Sequence, residues 1–78
     1  MSAGDLVEEV RRERLLPAPR VLKLIRQAAG VSQARVAREL GVGRVSVARY
    51  ELGQRKPRGE LLARYIALLE ALQAEVRL

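Results

Sequence analysis

Five of the six glycines fall in the middle of this chain, at Gly30, Gly41, Gly43, Gly53 and Gly59. They leave only short connections, as in a helical bundle. Between them apolar residues recur three and four positions apart, the spacing of one helix face. Ser32 is a good N-cap for a helix over Gln33–Leu40, in which Val36, Ala37 and Leu40 point inward and which Gly41 ends. Val42-Gly43 makes a short turn, and a further helix spans Arg44–Leu52 and stops at Gly53. Upstream, the pattern predicts a helix over Asp5–Leu16, with Leu6, Val10 and Leu15 on one side. Pro17-Ala18-Pro19 stops it. A helix over Arg20–Ala29 follows, its apolar set being Val21, Leu22, Leu24, Ile25 and Ala28. Gln54–Gly59 is a polar, basic loop around Pro57. The last helix starts near Glu60 and runs to about Glu75, with Val76-Arg77-Leu78 fraying or pairing as a short strand. The expected fold is therefore all-α, a compact five-helix bundle. Residues 1–19 form an N-terminal helix and Pro-rich connection, and residues 20–78 the main domain.

Apolar residues make up 49% of the 78 residues, too many for a disordered chain, and the only aromatics are Tyr50 and Tyr65. The absence of cysteine and histidine removes disulfides, thiolate and imidazole metal sites and histidine-dependent nucleophilic catalysis. The carboxylates lie scattered, each near an Arg or Lys, so an enzyme is not expected, and neither is a metal, a cofactor or a small-molecule substrate. No apolar run approaches the roughly 18 residues of a membrane span, and the acidic N-terminus lacks the layout of a signal peptide. The expected location is the cytoplasm of a prokaryotic cell.

The formal charge is +6, and nearly all of it sits in the middle third. Residues 31–59 hold Arg35, Arg38, Arg44, Arg49, Arg55, Lys56 and Arg58 against only Glu39 and Glu51. A localised basic patch suits a polyanion, either nucleic acid or an anionic membrane. Arginine outnumbers lysine by 13 to 2, and arginine forks well onto phosphate and guanine; a GC-rich genome explains most of that ratio but not its clustering.

The stretch from Gly30 to Gly53 fits two short helices joined by a turn, a helix-turn-helix layout. In such a unit one helix crosses the DNA backbone while the next lies in the major groove, whose width of about 12 Å matches a helix with its side chains. Val47 and Tyr50, three apart, form an inward pair with Val42 before them. That turns Arg44, Val45, Ala48, Arg49 and Leu52 outward. Arg44 and Arg49 can fork onto guanine, Val45 can touch a thymine methyl, and Ala48 is small enough to let the helix sit close to the bases. The competing interpretation is an ordinary surface helix with solvated arginines.

Taken together, Ile25-Arg26, Gly30-Val31-Ser32-Gln33, Val36-Ala37, Leu40-Gly41-Val42, Val47, Tyr50-Glu51, Gly53, Pro57 and the Leu/Tyr/Ile-rich last helix resemble the Cro/C1-type (XRE-like) helix-turn-helix family of bacterial and phage regulators. Pro57-Arg58-Gly59-Glu60 and Leu16-Pro17-Ala18-Pro19 look like actinobacterial and actinophage members. The resemblance covers roughly Arg20–Leu72 and implies a four-helix repressor-like core with one N-terminal helix added. It implies base reading by Arg44, Val45 and Arg49, to which Ala48 is joined by its position. It implies a phosphate contact by Gln33, where the helix N-terminus already offers free N–H groups, and Ser46 is assigned the same role. Arg35, Gln54, Arg55, Lys56 and Arg58 complete the expected phosphate set. Arg26 and Glu51 match a pair that the family joins between helices. Two features depart from the pattern. Gly43 stands where Ser or Thr often caps the recognition helix, and Met1–Pro19 lies outside the core motif.

The implied function is a sequence-specific double-stranded-DNA-binding transcriptional regulator, a repressor or Cro-like switch protein acting by promoter occupancy. Within the same fold, an antitoxin that binds operator DNA and its toxin is the alternative, since Gln73–Leu78 faintly resembles antitoxin tails. A protein-interaction bundle that never touches DNA is the reading from another class. The last helix carries more apolar surface than one face holds. Leu62, Tyr65, Ile66 and Leu69 form one stripe, and Leu61, Leu68 and Leu72 a second about 100° away. The expectation is a homodimer through the C-terminal helix, with the N-terminal helix folded over the second stripe as the rival.

Overall fold

A computed structural model describes residues 3–76. Among them are five helices: α1 (Ala3–Leu15), α2 (Pro19–Ala28), α3 (Gln33–Leu40), α4 (Arg44–Glu51) and α5 (Gly59–Glu75). The fold is all-α, as the sequence pattern predicts. Arg77 and Leu78, expected to fray or pair, lie outside the described residues; Val76 caps α5.

One apolar core draws on α2 to α5. Leu22 and Ile25 enter it from α2, Val36, Ala37 and Leu40 from α3, Val47 and Tyr50 from α4, and Tyr65 and Leu69 from α5. Burying a valine, leucine or isoleucine side chain is worth about 1.5–3 kcal/mol, and six of these nine residues are of that kind. The rings of Tyr50 and Tyr65 meet at 5.8 Å between centroids, tilted by 55°, a favourable aromatic geometry at the centre of the domain. Burial pushes the Tyr65 hydroxyl up to about 12. On α5 the stripe Leu62, Tyr65, Ile66 and Leu69 faces inward and is buried.

Several expectations need correction. Leu24 is 59% exposed and Ala28 is also exposed, because α2 turns Leu22 and Ile25, with half-buried Val21, toward the core. α1 begins at Ala3 and ends at Leu15, and it buries no residue. Leu6, Val10 and Leu15 remain exposed; α1 meets the domain against α5, and Leu16, just past its end, packs against the core. The second stripe of α5, Leu61, Leu68 and Leu72, is half-buried against the same core. Pro57 is buried although its loop is polar.

Candidate nucleic-acid interface

The unit α3–turn–α4 is fixed by local chemistry at each joint. The Ser32 hydroxyl accepts the Arg35 backbone N–H at 3.1 Å and so starts α3. Gly41 ends it in the left-handed region (φ 72°), where a side chain would be strained. The Val42 N–H then closes onto the Ala37 carbonyl at 3.0 Å, which turns the chain sharply. Gly43 occupies the N-cap of α4 in extended conformation and offers no side-chain bond. Val47, fully buried, and Tyr50 clamp α4 onto the core.

With those two turned in, the other face of α4 turns out. Arg44 and Arg49 are exposed, Val45 is 53% exposed, and Ala48 is half-buried. Leu52, now the C-cap rather than a helical residue, is 68% exposed. Val45, Ala48, Arg49 and Leu52 are spaced as one stripe along the helix.

A polar chain runs from the core to the tip of that face. Glu51 is buried, and Arg26 forks onto it, Nε donating to Oε2 at 2.7 Å and Nη2 to Oε1 at 3.0 Å. The remaining Arg26 nitrogen, Nη1, donates to the Val31 carbonyl at 2.9 Å. Gln33 Nε2 donates to Glu51 Oε1 at 3.1 Å, and Gln33 Oε1 accepts from Arg44 Nη1 at 3.2 Å. Burial pushes the Glu51 carboxyl up, but the hydrogen bonds from Arg26 and Gln33 and the Arg26 charge outweigh it. The group is held below its ordinary value. The Glu51 bond likewise raises Arg26 above its ordinary value, against the opposing effect of burial. A carboxylate at a helix C-terminus faces the negative end of the dipole; here the forked guanidinium compensates. The ion pair expected between α2 and α4 is thus present as a two-point contact. Gln33 adds a role that its residue type alone did not signal, bridging the buried Glu51 to the exposed Arg44.

The expected phosphate-contacting residues fall in two places. Arg35, exposed, and Ser46, half-buried, lie in the first turns of α3 and α4, with half-buried Gln33. Gln54, Arg55, Lys56 and Arg58 are exposed and together line an open cleft of about 610 Å³ with Tyr50, Gly53 and Leu61. Buried Pro57 anchors this loop among its exposed neighbours. Pro19 also abuts it: a Cβ on Gly53 would lie 3.3 Å from Pro19 Cγ, and Gly53 is left-handed (φ 73°). Sequence periodicity carries no signal for that contact. Among the described residues no group of acidic side chains is placed to hold a metal ion.

Residues 20–78 match a protein family described as helix-turn-helix domain. The chain belongs to that family. The match starts at the second residue of α2, covers α3 to α5 and does not extend over α1. No curated protein and no solved structure matches the chain significantly. Membership supports binding of double-stranded DNA and a DNA-binding regulatory role. No helix among the described residues is long and apolar enough to cross a membrane.

Proposed function

We propose that this helix-turn-helix protein is a sequence-specific regulator of the Cro/C1 type, a repressor or Cro-like switch that acts by occupying a promoter. The observation that carries this reading is the outward face of α4. Two arginines and a valine stand exposed around a small, half-buried alanine, on a helix whose opposite face is locked into the core. Such a face lets the backbone approach base edges, with Arg44 and Arg49 forking onto guanine and Val45 meeting a thymine methyl. Gln33, the N-terminal residue of α3, steadies Arg44 through its 3.2 Å bond. Gln33, Arg35, Ser46, Gln54, Arg55, Lys56 and Arg58 contact phosphates and set the register without reading sequence.

The protein acts as a homodimer through the C-terminal end of α5. In support, Leu24, Ile25, Ala28, Gln73 and Val76 line an open depression of about 330 Å³ between the ends of α2 and α5. Exposed Leu24 and Ala28 thereby join the C-terminal helix in one apolar patch. A two-fold pair sets two recognition helices about 34 Å apart and calls for a near-palindromic site.

Selection of bound sequences from a random duplex pool, followed by anisotropy at several salt concentrations, tests both parts. The expected result is a two-fold site whose affinity falls with salt, at a log–log slope near −0.9 per phosphate contacted. A salt-independent affinity sinks the DNA-binding reading. A non-symmetric site, with a sedimenting monomer, sinks the dimer alone.

A further inference from the structure

A partly enclosed cavity lies between the N-terminal addition and the end of the recognition helix. It measures about 240 Å³, just under the roughly 300–1,000 Å³ of typical small-molecule sites. Its occupant is therefore small, one ring or branched chain with a short head. Leu16, Pro19, Leu22 and Leu62 supply apolar wall, and Tyr50 and Gly53 form the side toward α4. Three charged residues, Glu13 on α1 and Arg55 and Lys56 on the loop after α4, line the same space. All three are exposed, and no ion pair joins them among the described residues. An apolar cavity that gathers two cations and one carboxylate, unpaired with each other, matches a ligand with an apolar body and both signs of charge at its head.

We propose that this cavity is an effector site for a zwitterion with an apolar side chain, an amino acid of about phenylalanine's size, and that filling it weakens DNA binding. The α-carboxylate lies toward Arg55 and Lys56, the α-ammonium toward Glu13, and the side chain against Leu16, Pro17 and Pro19. The coupling rests on the assignment of Arg55 and Lys56 to phosphate, since a carboxylate drawn to them competes with the DNA backbone for the same cations. Linkage is reciprocal, so operator DNA lowers the affinity of the effector by the same factor. Glu13, Leu16 and Pro19 lie outside the matched residues 20–78, so the site exists only because the chain carries its N-terminal addition.

The probes are L-phenylalanine, phenylacetate, which lacks the ammonium, and phenethylamine, which lacks the carboxylate. Each is titrated to millimolar concentration into the full chain without DNA and followed by backbone amide shifts. Phenylalanine is expected to give saturable shifts at Ala18, Gly53 and Leu62 with none at Leu68, phenylacetate to bind a few-fold more weakly, and phenethylamine more weakly still. Glu13→Gln removes no group assigned to DNA, and it is expected to bring phenylalanine and phenylacetate to the same affinity without weakening DNA binding. Lys56→Met is expected to weaken phenylalanine binding. No saturable shifts with phenylalanine, or phenethylamine binding as tightly, overturns the site. Saturation with phenylalanine that leaves operator affinity unchanged overturns the coupling. DNA affinity measured without any probe reports separately on the DNA-binding reading.

Discussion

The two helices of the helix-turn-helix have the same length and opposite designs. α3 and α4 are each 8 residues long. α3 is capped by a serine hydroxyl, buries Val36, Ala37 and Leu40, and shows charged residues on much of its other side. α4 has no side-chain cap and leaves Val45 exposed, with Leu52 beside its end. Its third buried residue is a glutamate rather than an aliphatic. Stability alone would not place valine and leucine in water on the helix that also carries two exposed arginines. α3 is built to be held, whereas α4 is built to present a surface, and the cost is offset by a polar tether to α2.

The largest effect should come from the tether. Arg26 and Glu51 side chains are only 11% and 2% exposed, and removing one partner of a buried pair costs about 3–5 kcal/mol because the other charge is left stranded. Arg26→Met and Glu51→Leu should each cost that much in denaturant unfolding, and the double variant much less than their sum. Additive losses would show that α4 is not held this way. The double variant also leaves Gln33 without its anchor, so base preference at the position read by Arg44 should relax even where the fold survives. The pair also sets an acid limit. The folded-state value of Glu51 is depressed. Its contribution is therefore full at neutral pH and shrinks as pH falls below the ordinary carboxylate value of about 4.3, until the folded-state carboxyl itself protonates. The double variant should flatten that part of the stability curve. Tyr65 acts at the other end: its value is raised from 10.0 to about 12, so its contribution holds below pH 10 and is lost as pH climbs through that interval.

Next in size is the functional face. Arg49→Ala should lose about 1–3 kcal/mol of discrimination at one base pair, whereas Lys56→Ala should weaken binding to all sequences alike and lower the salt slope by about one contact. Affinities for the selected site and its single-base variants decide the matter. If Arg49→Ala keeps the parent's base preferences, Arg49 belongs with the phosphate contacts and the presenting face of α4 is confined to Arg44, Val45 and Ala48.

A smaller effect tests the α3 side. Ser32→Ala removes the hydroxyl that accepts from Arg35 N–H and should cost about 1 kcal/mol. A loss measured in the thermal midpoint with no change in base preference would fit a helix that supports rather than reads.

The same contrast explains what was legible in the sequence. α3 could be placed at both ends because each end is marked by a residue with a local job, Ser32 and Gly41, and its inward set follows from period alone. The inward pair of α4 could be read the same way. Periodicity says which side of a helix is apolar but not whether anything covers it. Leu6 and Val10 on α1 and Leu24 and Ala28 on α2 read as parts of an apolar face, and they face solvent. Pro57 read as loop and is buried, because burial of a single loop residue has no period. The Gln33 bridge also escaped a reading by residue type. It depends on Glu51 being buried and on Arg44 starting the next helix, two facts that meet only when α3 and α4 cross.

The smallest effect is the most direct test of the contrast, because it gives α4 what α3 already has. Gly43 holds an extended N-cap conformation with φ −78° and ψ 153°, close to the −77° and 159° of Ser32. A Cβ at Gly43 meets nothing within 4 Å, so a serine fits without strain. Gly43→Ser should restore a side-chain acceptor for the first turn of α4. Since glycine is itself a tolerable cap, the gain should be only a few tenths of a kcal/mol, supplemented by the lower entropy of the unfolded chain. The informative measurement is the pair of changes, stability together with operator affinity. If α4 lacks a cap because its N-terminal N–H groups serve a phosphate, as helix ends do in anion sites, the serine hydroxyl occupies one of those groups or clashes with the phosphate. Operator affinity should then fall while stability rises. A variant that is more stable and binds as well or better would mean that the uncapped start of α4 has no part in holding DNA.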